Sequence, residues 1–160
     1  MHEVGHTLGL NHNMKSSSIH TISELYDNNK LKGKAISGSV MDYPALNLNP
    51  NPKIKSPYAD SSVGHYDKWA IEFGYKPFKS EQERNEILSR STDPLLIFGN
   101  DADILYSSRG IDPRVQTNDM SSDPISYSID RMNLVNELFD DILDKFQIPG
   151  NTYELSLIHI

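Results

Sequence analysis

The stretch that decides the fold lies at residues 2–12, which read HEVGHTLGLNH. His2 and His6 are four residues apart, so on a helix they share one face and both imidazoles can bind one metal ion. Gly9 lets the chain turn sharply, because glycine tolerates a positive φ, and the turn brings His12 back as a third ligand. Three imidazoles that leave a fourth position open are typical of catalytic zinc, whereas structural zinc has four protein ligands.

Glu3 lies beside the first histidine and can reach a water molecule on the metal without being a ligand itself. Zinc lowers the pKa of such a water toward roughly 7, and a neighbouring carboxylate can accept the proton as the water attacks a carbonyl. We therefore predict Glu3 as a general base. The complete pattern HExxHxxGxxH is far more specific than HExxH alone. The alternative interpretation is a surface helix with incidental histidines.

Composition argues against several other kinds of protein. The 160 residues suffice for one modest domain, and 22 acidic against 15 basic residues give a net charge of −7. That balance argues against a nucleic-acid partner, which requires a basic patch. No run of about 18 apolar residues is present, so no membrane span is predicted. Because cysteine is absent, the candidate metal ligands are histidine, carboxylate and tyrosine side chains.

The pattern along the chain is mostly helical. The predicted helices span residues 2–8, 22–31, 66–73, 81–90 and 124–146. Capping boxes at Thr21 and Ser80 start the second and the fourth. Apolar residues at helical spacing indicate the third, with a stop at Gly74, and the fifth. Residues 44–57 and 99–122 are predicted to be loops, and the short apolar run of residues 95–98 could be a strand.

Residues 2–13, HEVGHTLGLNHN, resemble the zinc signature of the metzincin clan of metallopeptidases. Residues 39–43, SVMDY, resemble the Met-turn of that clan. The resemblance implies that Met41 forms a hydrophobic floor beneath the zinc and its histidine ligands. It also implies that Tyr43 is a swinging zinc ligand that helps to stabilise the transition state. A tyrosine that only packs in a loop is the alternative.

A closer resemblance covers roughly residues 1–150 and is to the Met-zincin domain of large bacterial zinc-dependent metalloproteases. It rests on four segments that occur there in the same order, namely HEVGHTLGL, VMDYPALN, YDKWAIEFGY and GIDPRVQ. The resemblance implies an α+β catalytic domain that hydrolyses peptide bonds in a protein or peptide substrate. It also implies an extracytoplasmic location, whether secreted, periplasmic or at the cell surface.

The resemblance also sets the expected domain limits. Residues 1–150 are interpreted as part of a metzincin catalytic domain, with the zinc helix and a mostly helical C-terminal half, and with the N-terminal sheet lying upstream. Residues 151–160 are interpreted as a tail, in which residues 155–160 resemble read-through from a sequencing adapter. A chain of this extent is expected to bind zinc weakly and to show no measurable proteolysis.

Other candidate ligands and functions are weaker. His20 and His65 lie outside the motif and are interpreted as surface or loop histidines. Four aspartates could chelate calcium, although a solvated loop is the favoured interpretation; they are Asp101, Asp103, Asp112 and Asp119. Two functional alternatives stay open: a zinc-binding module without catalysis, which the presence of Glu3 disfavours, and an inactive fragment.

Overall fold

The computed structural model describes residues 1–104, 110 and 112–146, with side chains up to residue 139. Within these residues the α-helices are α1 His2–Thr7, α2 Ile22–Leu25, α3 Asn28–Leu31, α4 His65–Tyr75, α5 Glu81–Ser89 and α6 Pro124–Phe146. Short 3-10 helices span Ser16–Ile19, Arg90–Thr92, Pro94–Leu96 and Asp101–Asp103. The chain divides into two compact units, Met1–Pro124 and Ile125–Ile160.

The expectation of an α+β domain is wrong, because the described part of the chain contains helices and no strand. The run at residues 95–98, which could have formed a strand, begins instead within a 3-10 turn. Pro94 occupies the first position of this turn, and the Asp93 side chain accepts a hydrogen bond from the backbone N–H of Leu95. Such a side-chain bond favours a turn over an extended backbone.

The helix predictions are correct in type and differ in their limits. The helix predicted over residues 22–31 is two single turns, because the Asp27 side chain accepts hydrogen bonds from two backbone N–H groups and starts α3. The capping box at Thr21 is confirmed. Helix α4 continues through Gly74 to Tyr75, since an internal glycine costs a helix only about 1 kcal/mol.

Helix α6 confirms the helix predicted over residues 124–146. The described members of its apolar stripe are exposed, namely Ile125, Ile129, Met132, Val135 and Phe139. None of the helices in the described ranges is both long enough and apolar enough to cross a membrane. The predicted tail, residues 151–160, lies outside the described residues.

The first unit buries nearly as many polar side chains as apolar ones. The buried apolar side chains include Met14, Leu25, Leu31, Ile36, Met41, Ile87, Leu96, Val115 and Met120. The buried polar residues include Asn13, Ser16, Ser17, Ser37, Ser39, Asp42, Asn47, Asp67 and Ser121. Because buried polar groups need hydrogen-bond partners, hydrogen bonds contribute to the packing of this unit alongside the apolar contacts.

Candidate metal centre

The three histidines of the sequence motif converge. One ring nitrogen from each of His2, His6 and His12 lies within 4.8 Å of the others, and no further histidine or carboxylate of the described chain joins this group. His2 and His6 project from α1, one turn apart. After α1 the chain reverses at Gly9, whose φ is +84°, as the motif predicted. The reversal places His12 beside the two helical histidines, with ring centroids 5.3 and 4.9 Å away.

The Nδ1 atom of each histidine makes a hydrogen bond to an oxygen acceptor. His2 Nδ1 lies 2.8 Å from the carbonyl oxygen of Val40, and His6 Nδ1 lies 3.0 Å from that of Leu10. His12 Nδ1 lies 2.9 and 3.0 Å from the two carboxylate oxygens of Asp101. Carbonyl and carboxylate oxygens only accept, so each Nδ1 carries the proton. In the neutral ring, each Nε2 then presents its lone pair, which is the form of imidazole that binds metals.

The donor set fits zinc. The Nε2 atom of His2 is buried and has no hydrogen-bond partner among the described residues. A buried unpaired acceptor is costly, and a metal ion at this position would satisfy it. Three neutral imidazoles suit zinc in a site that keeps a fourth position open.

Tyr43 lies at the edge of the histidine group. Its hydroxyl is 3.3 Å from His12 Nε2, and its ring centroid is 4.7 Å from that of His2. The side chain is 44% exposed, so it can change its orientation without disturbing a packed core. The structure thus places Tyr43 within reach of the same space as the histidine nitrogens.

Met41 is fully buried and packs directly against α1. A Cβ atom added to Gly5 would lie 2.2 Å from the Met41 sulfur, far closer than two such atoms can approach. The glycine inside the HEVGH segment therefore has a packing role, since it lets α1 settle onto Met41. This contact lies between the two helical histidines in sequence, and it couples their position to the Met-turn, residues 39–43.

Two buried aspartates hold the Met-turn in place. Asp67, in the first turn of α4, accepts hydrogen bonds from the Ser39 hydroxyl at 2.6 Å and from the N–H groups of Val40 and Gly64 at 2.9 and 2.8 Å. Asp42 accepts from the hydroxyl of Ser16 and from the N–H groups of Ser17 and Tyr43. Burial raises the pKa of Asp42 to about 6 despite these donors.

An open cleft adjoins the histidine group on the side of His2. It has a volume of about 450 Å³, and its lining includes His2, Glu3 and Tyr43 together with Val40 and Leu46. Glu3 is exposed, so its carboxylate is accessible to water in this cleft. The cleft lining thus combines a carboxylate, a phenol and apolar side chains.

The other candidate ligands do not join the group. His20 bonds to the Ala35 carbonyl, and His65 begins α4. The aspartates proposed for calcium have separate partners: Asp112 pairs with Lys15 and Arg114, Asp119 accepts from Ser17, and Asp103 accepts from the N–H of Asn100. Sequence reasoning missed the roles of Asp67 and Asp101. Only the position of Asp67 three residues after Gly64, at a helix start, gave a local signal.

Comparison with known proteins identifies a family for this chain. A family model described as Met-zincin matches residues 1–157, which is nearly the whole chain. No curated protein and no solved structure matches this chain.

Proposed function

The chain belongs to the Met-zincin family, which is of the metalloprotease type, and we propose that its site hydrolyses peptide bonds in a zinc-dependent reaction. In this proposal His2, His6 and His12 bind the zinc and Glu3 is the general base. The observation that carries it is the convergence of three histidines whose Nδ1 atoms all bind acceptors. That arrangement leaves the Nε2 atom of each neutral ring available for a shared metal ion.

The residues of the cleft divide the chemistry between them. Zinc bound here would supply a Lewis acid that activates water and polarises the substrate carbonyl. Glu3 accepts a proton from the attacking water and returns it to the leaving amine, so that the carboxylate is regenerated. The Tyr43 hydroxyl, close to His12, donates a hydrogen bond to the oxygen that gains negative charge. The apolar side chains of the cleft hold a substrate side chain.

The test compares Glu3→Gln with the unsubstituted chain. Glutamine keeps the size of the side chain but cannot accept the proton. Because Glu3 is not one of the proposed zinc ligands, zinc content should be unchanged. Hydrolysis of a fluorogenic peptide library should fall by about two to four orders of magnitude. Glu81→Gln, on the exposed face of α5, is the matched control and should leave both quantities unchanged.

His12→Ala tests the ligand set separately. Removing one of three protein ligands should lower zinc content measured by atomic absorption, and unchanged zinc content would remove His12 from the site. A chain that binds zinc and hydrolyses no peptide, even before substitution, would instead be a zinc-binding module without catalysis or an inactive fragment.

A further inference from the structure

We infer that Asp101 is a positioning residue for His12, a role that rests on the proposed zinc site. His12 Nδ1 donates to both carboxylate oxygens of Asp101, at 2.9 and 3.0 Å, although the two residues are 89 positions apart. His2 and His6 are oriented by backbone carbonyl groups. His12 is therefore the one histidine of the three whose orientation depends on another side chain.

His12 needs such a partner because it lies outside α1. The helix fixes the backbone of His2 and His6, whereas His12 follows the reversal at Gly9 and belongs to no helix. Its ring could otherwise rotate about the side-chain bonds, and ordering it on metal binding would cost conformational entropy. The hydrogen bond to Asp101 fixes the ring before the metal arrives.

The approach of Asp101 to His12 is built into the fold. Asn13, next to His12 and fully buried, donates through its side chain to the Ile97 carbonyl at 2.9 Å and accepts from the Gly99 N–H at 3.1 Å. The N–H of Met14 donates to the Gly99 carbonyl at 2.7 Å. These three hydrogen bonds join the segment after His12 to the segment before Asp101.

Asp101 is itself held at the start of a one-turn 3-10 helix. The Asn100 side chain accepts from the N–H of Ala102, and the Asp103 carboxylate accepts from the N–H of Asn100. The Asp101 side chain is 63% exposed, and a bond between exposed polar side chains by itself contributes little to stability. We therefore expect its main effect on zinc affinity, through the orientation and basicity of His12, rather than on folding.

The experiment measures zinc affinity of the full chain by competition with a chromophoric chelator. Asp101→Ala should weaken zinc binding by about 10- to 100-fold, the usual effect of losing such a partner. The zinc affinity of Asp101→Asn should lie between that of Asp101→Ala and that of the unsubstituted chain. Its amide oxygen still accepts from His12 Nδ1, but the negative charge is lost. The unfolding midpoint of the zinc-free chain should be the same for all three.

Asp103→Asn is the matched control, since it perturbs the same 3-10 helix and leaves the Asp101 carboxylate in place. Its zinc affinity should remain within about twofold of the unsubstituted chain. Equal losses for Asp103→Asn and Asp101→Ala would overturn the inference, because the turn and not the carboxylate would then be responsible. The visible spectrum of bound Co²⁺ should change with Asp101→Ala and stay unchanged with Asp103→Asn.

The outcomes separate this inference from the proposed function. If Asp101→Ala binds zinc as tightly as the unsubstituted chain, the inference fails while the zinc site stands. If the unsubstituted chain binds zinc, loses affinity with Asp101→Ala and yet cleaves no peptide, the inference stands and the proposed hydrolysis fails. If the unsubstituted chain binds no zinc, both fail.

Discussion

The Met-turn and helix α1 meet at Met41 and Gly5, yet they are held in place by different means. In the Met-turn, Met41 and its neighbour Asp42 are buried, and the turn is bonded to two aspartate carboxylates. In α1 only Gly5 is buried, and the helix has six residues with no side-chain hydrogen bond at its N-cap. An isolated helix of this length is unstable in water. The turn is therefore the fixed part of the metal centre, and α1 is docked on it.

The same comparison explains how the histidines are oriented. His2 depends on the Met-turn, because its Nδ1 donates to the Val40 carbonyl. His6 depends on the chain reversal after α1, through the Leu10 carbonyl, and His12 depends on Asp101. Three different parts of the fold thus each fix one ring. A substitution in one of these parts should change the orientation of one histidine first. A substitution that weakens the Met-turn should lower the free energy of unfolding most.

The largest effect is expected from Asp67→Ala, which removes the acceptor for three donors of the Met-turn and of α4. The Ser39 hydroxyl and the N–H groups of Val40 and Gly64 would be left unsatisfied in a buried site. We expect a loss of about 3–5 kcal/mol in the free energy of unfolding. Urea titration of the zinc-free chain, followed by circular dichroism, measures this quantity.

Asp93→Ala is the control for Asp67→Ala. Asp93 also accepts from a backbone N–H, that of Leu95, but it does so on an exposed turn. Its loss should cost about 1 kcal/mol, as for other capping residues. If the two variants are equally stable, the hydrogen bonds of Asp67 stabilise the Met-turn no more than a capping bond stabilises a surface turn. The Met-turn would then not be the more stable of the two parts, and the contrast with α1 would be lost.

A smaller effect is expected from Gly5→Ala, which tests the contact through which α1 docks. The new methyl group would meet the Met41 sulfur, so either α1 or the Met41 side chain must move. We expect a loss of about 2 kcal/mol in unfolding free energy together with weaker zinc binding, because His2 and His6 move with the helix. Gly74→Ala is the control; a Cβ there meets nothing within 4 Å, and alanine should stabilise α4 by about 0.5–1 kcal/mol.

The double variant Gly5→Ala with Met41→Ala sharpens this test. The shorter side chain at position 41 makes room for the new methyl group, so the two losses should not add. If the loss of stability in the double variant equals the sum of the two single losses, the two residues do not restrain each other.

Local sequence patterns were sufficient for the parts of the site that lie close together in the chain. The spacing of His2 and His6 and the reversal at Gly9 follow from helix geometry and from the backbone freedom of glycine. The structure brings these residues together with His12 as the spacing predicted. The metal-binding role of the histidines remains a prediction that zinc titration will test.

The partners from distant parts of the chain could not be read from the sequence. Asp101 is one of several aspartates in a polar stretch, and nothing local distinguishes it as the partner of His12. Its position depends on the buried hydrogen bonds of Asn13 to Ile97 and Gly99. The α+β expectation came from resemblance alone. It is wrong because the described segments form helices and turns and do not pair as strands.

The smallest effect on stability is expected from Tyr43→Phe, since this side chain is exposed and its hydroxyl, among the described residues, bonds to His12. The free energy of unfolding should change by less than about 0.5 kcal/mol, and zinc should remain bound. If the hydroxyl stabilises negative charge in the transition state, kcat for a peptide should fall by about 100-fold with a much smaller change in KM. Tyr58→Phe, at a tyrosine that is 64% exposed and does not line the cleft, is the control and should leave kcat unchanged. An unchanged kcat for Tyr43→Phe would return Tyr43 to the role of a loop residue, and the Met-turn would then contribute only its packing to the metal centre.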